Sequence, residues 1–455
     1  MCRFVLFTVL LSSAFVQSLL AEQLTLRGFV TAVQSPTSFE IDKYKIIDEN
    51  TPRLKTGRLR VGVEVGVKGE YDRKTGELRA TEIKMLFDDS DPETPIEGVG
   101  LVEDKTGIQK TAQGWSGRLA ADGETLVIAP DTFISVNRSR AERKELRNAG
   151  REVPTESMFS PVDIDLDTFA HYVGVRQADR SILAKSIDFR QDRGTAESAW
   201  KPSDAKVFYS DRKSGAGTVI IDDIVYRLFP SPEALAYLSK LANNLIPQHQ
   251  RELPDKSPGK VTFRLFLTDS DKVTVDSYPN GVLIVSVHLF DVLDNEGQLA
   301  FMLAHEIARV VEKQEWTTLT YTKGERTASA AVAMAAFGVP GFVLADSLSD
   351  KEMAHRFGRG LQDQADRVGI EYMLAAGYDP KEAIDAWRVL DEKHVRGHFW
   401  GDPEVNLLRR SYLESELQLN YANRDFSSLK RDSPDFHSAV DAIKGEGHHA
   451  KVKRR

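Results

Sequence analysis

Leu299-Ala300-Phe301-Met302-Leu303-Ala304-His305-Glu306-Ile307-Ala308-Arg309-Val310-Val311 places a His-Glu pair inside an apolar run whose spacing predicts one helix from about Glu296 to Glu312. Residues i and i+4 of a helix share a face. A His-Glu-x-x-His turn therefore lets two imidazoles grip one Zn²⁺ while the Glu reaches the metal-bound water as general base. Here the i+4 residue is Arg309. A guanidinium keeps its protons in a protein and offers no lone pair to a metal.

Working outward, Asn280-Gly281 and a predicted strand at Val282–Val287 precede this helix, and Asn295-Glu296-Gly297-Gln298 opens it. Downstream stands Gly358-Arg359-Gly360-Leu361-Gln362-Asp363-Gln364-Ala365-Asp366-Arg367-Val368-Gly369, then Tyr372-Met373 and Ala376-Gly377-Tyr378-Asp379-Pro380. Two separated motifs in this order and spacing resemble the HtpX, BepA and CAAX prenyl protease family of zinc metallopeptidases, from roughly Val261 to Leu413. The resemblance implies a gluzincin-like fold, Zn²⁺ as cofactor and proteolysis as activity. Carried over by position, His305 is the first metal ligand and Glu306 the general base. Arg309 stands where the second His belongs, and Gln362 where a ligating Glu belongs. Asp366 is retained, in the family the carboxylate that orients the first His. A His-Pro whose His approaches the metal in periplasmic members corresponds to Asp402 before Pro403.

A three-ligand zinc site lowers the pKa of its bound water to about 7, against 15.7 for free water. Without the metal, a glutamate faces a gap of about 11 pK units, or about 15 kcal/mol, which placement alone does not close. The expectation is therefore a pseudopeptidase with no cofactor, or with Zn²⁺ if the family activity is retained. The competing expectation is an active metalloendopeptidase with unusual ligands, in which Asp366, Asp363, Asp402, His355 and His398 join His305 around a harder ion such as Mn²⁺. Charge suggests one further possibility. The Arg309 guanidinium either sits at the vacated metal position, paired with Glu306 and Asp402, or faces solvent with no partner in the cleft.

Elsewhere the chain reads as exported. Met1-Cys2-Arg3, an apolar run from Phe4 to Leu20 and a small-residue break at Ala21-Glu22 are expected to form a signal peptide over 1–21, the alternative being an uncleaved membrane anchor. Its removal takes away Cys2, the sole cysteine, and with it any disulfide or thiolate chemistry. A bacterial periplasm fits. The uncharged stretch Thr327 to Ala345 approaches the length of a membrane span, but Gly338-Val339-Pro340-Gly341 breaks it, so a buried helix and turn is expected rather than a span. A net charge of −8 leaves no electrostatic footprint for nucleic acid. The expected partner, a polypeptide or envelope protein held in the peptidase cleft, is what the family resemblance implies. Trp316, Trp387 and Trp400 read as packing or cleft-wall residues, and His448-His449 as an exposed tail pair.

The organisation expected is multidomain: two small all-β OB-like barrels followed by a mainly helical α+β gluzincin-like metallopeptidase domain. Period-two alternation with glycine turns marks the β modules at 24–90 and 95–190, and matching Gly…Ala-x-x-Ile endings mark them as a repeat. A linker is expected over 191–204, the helical domain from 205 to 425 and a polar tail over 426–455. The β modules are expected to be spacers or docking arms. A third functional reading gives them the binding role and makes the peptidase-like domain a scaffold.

Overall fold

Alternating apolar residues between short turns become strand from Glu22 onward. A computed structural model describes residues 22–48, 59–91, 94–137, 147, 148, 150, 164, 168–190, 204–221, 223–255, 259–270, 272–315, 348–395 and 403–447, with backbone alone at 136–137, 190, 348–359 and 403–404. The expected signal peptide, the 327–345 stretch, almost all of the 191–204 linker, Trp316, His398, Trp400, Asp402 and His448-His449 lie outside the described residues.

Strands β1 (Glu22–Phe29), β2 (Ala32–Ser35), β3 (Ser38–Ile41), β4 (Tyr44–Ile47), β5 (Glu64–Asp72) and β6 (Glu77–Phe87) form a sheet ordered β1-β5-β6-β4-β3-β2. Its inward faces bury Phe39, Ile41, Ile46, Val65, Val67 and Leu78. A second sheet holds β7 (Ile96–Lys110), β8 (Trp115–Ala121), β9 (Glu124–Ile128), β10 (Phe133–Asn137), β11 (Phe169–Arg176) and β12 (Ile182–Arg190). Because β12 pairs with both β11 and β9, five of these strands close into a barrel, with β10 lying parallel to β12. Closure joins the two ends of the five-stranded run, while β10 is left at the margin with β12 as its neighbour.

The repeat noted in the sequence has a physical basis in these two modules. The β5–β6 register shifts between Lys68 and Gly69 and pairs Gly69 with Ala80; the β11–β12 register shifts between Val173 and Gly174 and pairs Gly174 with Ala184. A Cβ on Gly69 would stand 2.1 Å from the Arg79 carbonyl oxygen, and one on Gly174 would stand 2.6 Å from that of Leu183. Each bulge brings the partner backbone so close that only glycine fits.

The helical texture expected from residue 205 begins later. Residues from Lys206 instead form β13 (Lys206–Asp211), β14 (Ala216–Ile221) and β15 (Ile224–Leu228) before the first helix of this region. Two tight turns, the second with Asp223 at φ +65°, impose a period of two that the following helices mask. Then come α1 (Pro232–Leu245), α2 (Gln248–Glu252), β16 (Arg264–Thr268), β17 (Val275–Ser277) and β18 (Val282–Ser286). The third sheet is ordered β13-β14-β15-β16-β18-β17, so β17 ends it. Helices α3 (Leu289–Val292), α4 (Glu296–Val311), α5 (Leu348–Ala375), α6 (Lys381–Glu392), α7 (Pro403–Asn420) and α8 (Pro434–Gly445) complete the described elements.

Helix α4 is the centre of the largest core. Asn295 caps it by accepting the Gln298 N–H at 2.9 Å, and every residue from Glu296 to Val311 except Arg309 is buried. Helix α5 ends as expected at Gly377, which takes φ +83°. There the Tyr378 and Gly377 N–H groups donate back to the Met373 and Leu374 carbonyls, a Schellman closure. The stretch 426–455, expected to be a polar tail, instead carries α8, whose Phe436, Ala439 and Ile443 are buried. Its apolar residues recur at helical spacing after Ser433, which caps the helix by accepting the Phe436 N–H at 3.1 Å.

The β modules are packed against the helices. Phe29 N–H donates to Ser411 Oγ at 2.9 Å, Leu407 of α7 joins the first module's core, and Arg410 bridges Asp42 and Asp391. Leu101 N–H of the barrel donates to Glu312 Oε2 at 2.8 Å, at the end of α4. Among the described residues, no helix is long and apolar enough to cross a membrane.

Candidate active site

Helices α4 and α5 run antiparallel, in contact at Gly369, where a Cβ would stand 3.2 Å from His305 N. That close approach puts Asp366, one turn earlier, beside the first residue of the motif. His305 Nδ1 lies 2.9 Å from Asp366 Oδ1, with the imidazole and the carboxylate both buried. Arg409 of α7 grips the same carboxylate with two nitrogens, Nε to Oδ2 at 2.8 Å and Nη2 to Oδ1 at 2.6 Å. Its guanidinium lies over the Trp387 ring, 3.7 Å from the centroid, and Trp387 meets His305 edge-on. Burial alone would raise the Asp366 pKa, but Arg409 and His305 outweigh it and hold it below the usual carboxylate range. Burial moves His305 the other way, below the ordinary histidine value, despite the attraction of Asp366.

Glu306 is held from two sides. Ser277 Oγ, on the terminal strand β17, donates to Oε2 at 2.5 Å, and Arg309 Nη1 reaches Oε2 at 2.9 Å and Oε1 at 3.2 Å. The first of the two possibilities for Arg309 thus describes its Glu306 contact. Glu306, Glu315 and Asp276 raise the Arg309 pKa against the opposing effect of burial. Asp276 itself is pushed up to about 6, by burial first and by Glu306 second. Arg309 also lines a recess with Ser277, Tyr278, Pro279, Lys313 and Gln314.

The other sequence candidates are less gathered. Gln362 lies on α5 one turn before Asp366 and is partly exposed, and Asp363 is likewise partly exposed. Of His355 only the backbone is described. His305 Nε2 faces Glu306 Oε1 at 4.0 Å. Among the described residues, no group of three or more His, Cys, Asp or Glu is arranged to hold a metal. Arg309 adds donors only, so this set does not fit a tetrahedral zinc site.

Residues 274–438 match the model of peptidase family M48. This domain belongs to peptidase family M48. The chain is 26% identical over 226 residues to the Beta-barrel assembly-enhancing protease of Escherichia coli (strain K12), covering 47% of this chain and 44% of that protein. It is 25% identical over 212 residues to the protein of the same name from Yersinia pestis, covering 44% of this chain and 40% of that one. The chain thus spans less than half the length of the curated relatives it matches.

Within the M48 domain, sequence reasoning missed Arg409 and Ser277. Arg409 and Arg410 stand side by side amid Leu407, Leu408 and Ser411, all buried. Two adjacent cations inside a buried helical segment were a usable signal, since buried charges need partners. Ser277 carried no such signal. Its role at Glu306 comes from a strand-to-helix contact across 29 residues of sequence.

Proposed function

We propose that the chain is an exported pseudopeptidase of the M48 family that holds extended polypeptide or a protein partner in the bacterial envelope without cleaving it. The observation that carries this reading is the Arg309–Glu306 ion pair. In the family-derived roles Glu306 would take a proton from metal-bound water and Asp366 would orient His305. Here a permanent cation occupies the i+4 position and engages the base, supplying a single positive charge and no Lewis acidity. Gln362, a neutral amide at the other lost ligand position, fits the same loss, and Asp402 remains the remaining candidate carboxylate.

Polypeptide binding is supported by β17. It ends the described sheet, and its Ser277 touches Glu306, so an extended chain added along that edge would run past the recess at Arg309. The two β modules are read as OB-like docking arms on the same body. Export is supported by the charged, apolar and small-residue order of the first 21 residues.

The test is the metal content of the purified chain together with cleavage of an unfolded protein. The expected result is no stoichiometric metal and no chelator-sensitive cleavage, with unfolded polypeptide still bound. Stoichiometric metal and a cleavage lost in Glu306→Gln would replace this reading with the active metalloendopeptidase of unusual ligands. Arg309→His with Gln362→Glu is expected to gain zinc binding; if it does not, the positional correspondence is wrong. Deleting the β modules separates the scaffold reading, which alone expects partner binding to vanish with them.

A further inference from the structure

Where the barrel meets the M48 helices, carboxylates outnumber arginines. The barrel side contributes Glu103 on β7, Asp122 in the β8–β9 turn, Glu124 on β9, Tyr172 and Arg176 on β11, and Arg180 in the following turn. Asp89, in the segment joining the two β modules, lies against both of these arginines. The helical side contributes Glu312 after α4, Gln364, Arg367, Glu371 and Tyr372 on α5, Tyr412 and Glu416 on α7, and Tyr421 beyond it.

The arginines are committed. Arg176 makes a bidentate pair with Glu124, at 2.5 and 2.9 Å, and Arg180 binds Asp89 at 2.8 Å and Asn420 at 2.9 Å. Arg367 binds the Asp122 carboxylate at 2.9 Å and its carbonyl at 2.7 Å, while Gln364 donates to Asp122 Oδ1 at 2.6 Å. Glu103 and Glu371 have no arginine of their own among these contacts. Glu103 Oε1 and the Tyr372 hydroxyl are buried with no hydrogen-bond partner among the described residues. An ionised carboxylate left without a donor in such a place is costly.

We propose that this seam is a pH-gated dock: with protons on Glu103 and Glu371 the barrel seats on α5 and α7, and loss of those protons loosens it. The inference is independent of whether the M48 site hydrolyses anything. Its direction agrees with the surroundings of both groups. Burial, then Glu371, Glu312 and Asp122, push Glu103 well above the usual range against Arg367. Burial, then Glu124, Glu416 and Asp122, push Glu371 up to about 7, again against Arg367. A folded-state pKa above the unfolded one favours the docked form at low pH, and that advantage is lost as pH rises through about 7. Gln364 and Arg367 flank Asp366, so loosening the seam frees the turn that anchors His305.

Hydrogen exchange of the full chain, corrected for the intrinsic pH dependence of exchange, tests this. Protection of the β7 amides around Leu101 is expected to fall about tenfold between about pH 6 and pH 8.5, while the α4 amides keep theirs. The Glu103→Gln, Glu371→Gln double variant is expected to hold its protection across that range. Protection in the wild-type chain that does not change with pH, or a double variant that still loses it, would overturn the proposal. Glu371→Gln alone gives the same contrast at smaller amplitude if the double variant does not fold.

Discussion

Arg409→Met removes the guanidinium from a carboxylate with no solvent exposure, leaving Asp366 with His305 as its remaining charged-capable partner. Breaking a buried ion pair by deleting one partner costs about 3–5 kcal/mol, because the other charge stays desolvated. The stacking of Arg409 on Trp387 at 3.7 Å adds a cation–π share of up to about 2 kcal/mol, which overlaps that figure. Methionine keeps much of the volume, so a cavity contributes little. The expected loss is therefore about 3–5 kcal/mol, felt in α4 and α5 first. A chain of several modules does not unfold in one step. The assay is therefore native-state hydrogen exchange of the α4 amides, which reports the opening free energy of that part. Asp366→Asn alone is expected to destabilise it too, while Asp366→Asn with Arg409→Met costs less than the two single losses together by about 2 kcal/mol. A loss below about 1 kcal/mol for Arg409→Met is the value of a solvated surface pair. That result, or strict additivity in the double variant, would refute a desolvated Asp366 carboxylate.

Three other expectations follow from single positions. His249 Nε2 is buried without a partner among the described residues, and burial lowers its pKa to about 4. An unfolded chain then takes up the proton first, so stability around α2 falls as pH drops from about 6.5 toward 4; acid unfolding of His249→Gln should lack that component. Gly69→Ala drives a methyl into the Arg79 carbonyl and is expected to cost about 1–3 kcal/mol, read by chemical denaturation of the first β module. Asn295→Ala removes the cap of α4 and is expected to cost about 1 kcal/mol in the same exchange measurement of α4.

Much of the fold was legible because it rests on local patterns. Periodicity marked α4 and α5, Gly377 marked the end of α5, and period-two runs marked the strands of both β modules. What escaped had weak local signals. The β13–β15 strands hid before a helical region, and α8 hid in a stretch of polar composition, though Phe436, Ala439 and Ile443 fall on one helical face. At the site, the His-Glu-x-x-Arg spacing named His305, Glu306 and Arg309, and the family resemblance named Asp366. Arg409 and Ser277 could not, since they approach across 43 and 29 residues of sequence.

The sequence by itself determined which residue types stand at the metal positions, because ligand chemistry belongs to the side chain: Arg309 has no lone pair to give wherever it points. It also determined the glycines at the bulges and the cap of α4, since backbone conformation there depends on immediate neighbours. Only the tertiary structure decided where Arg309 directs its charge, what holds Asp366 ionised, and that the barrel sits on the helices through a seam crowded with carboxylates. Each of those depends on distances between distant segments and on burial, and electrostatic energies follow both steeply.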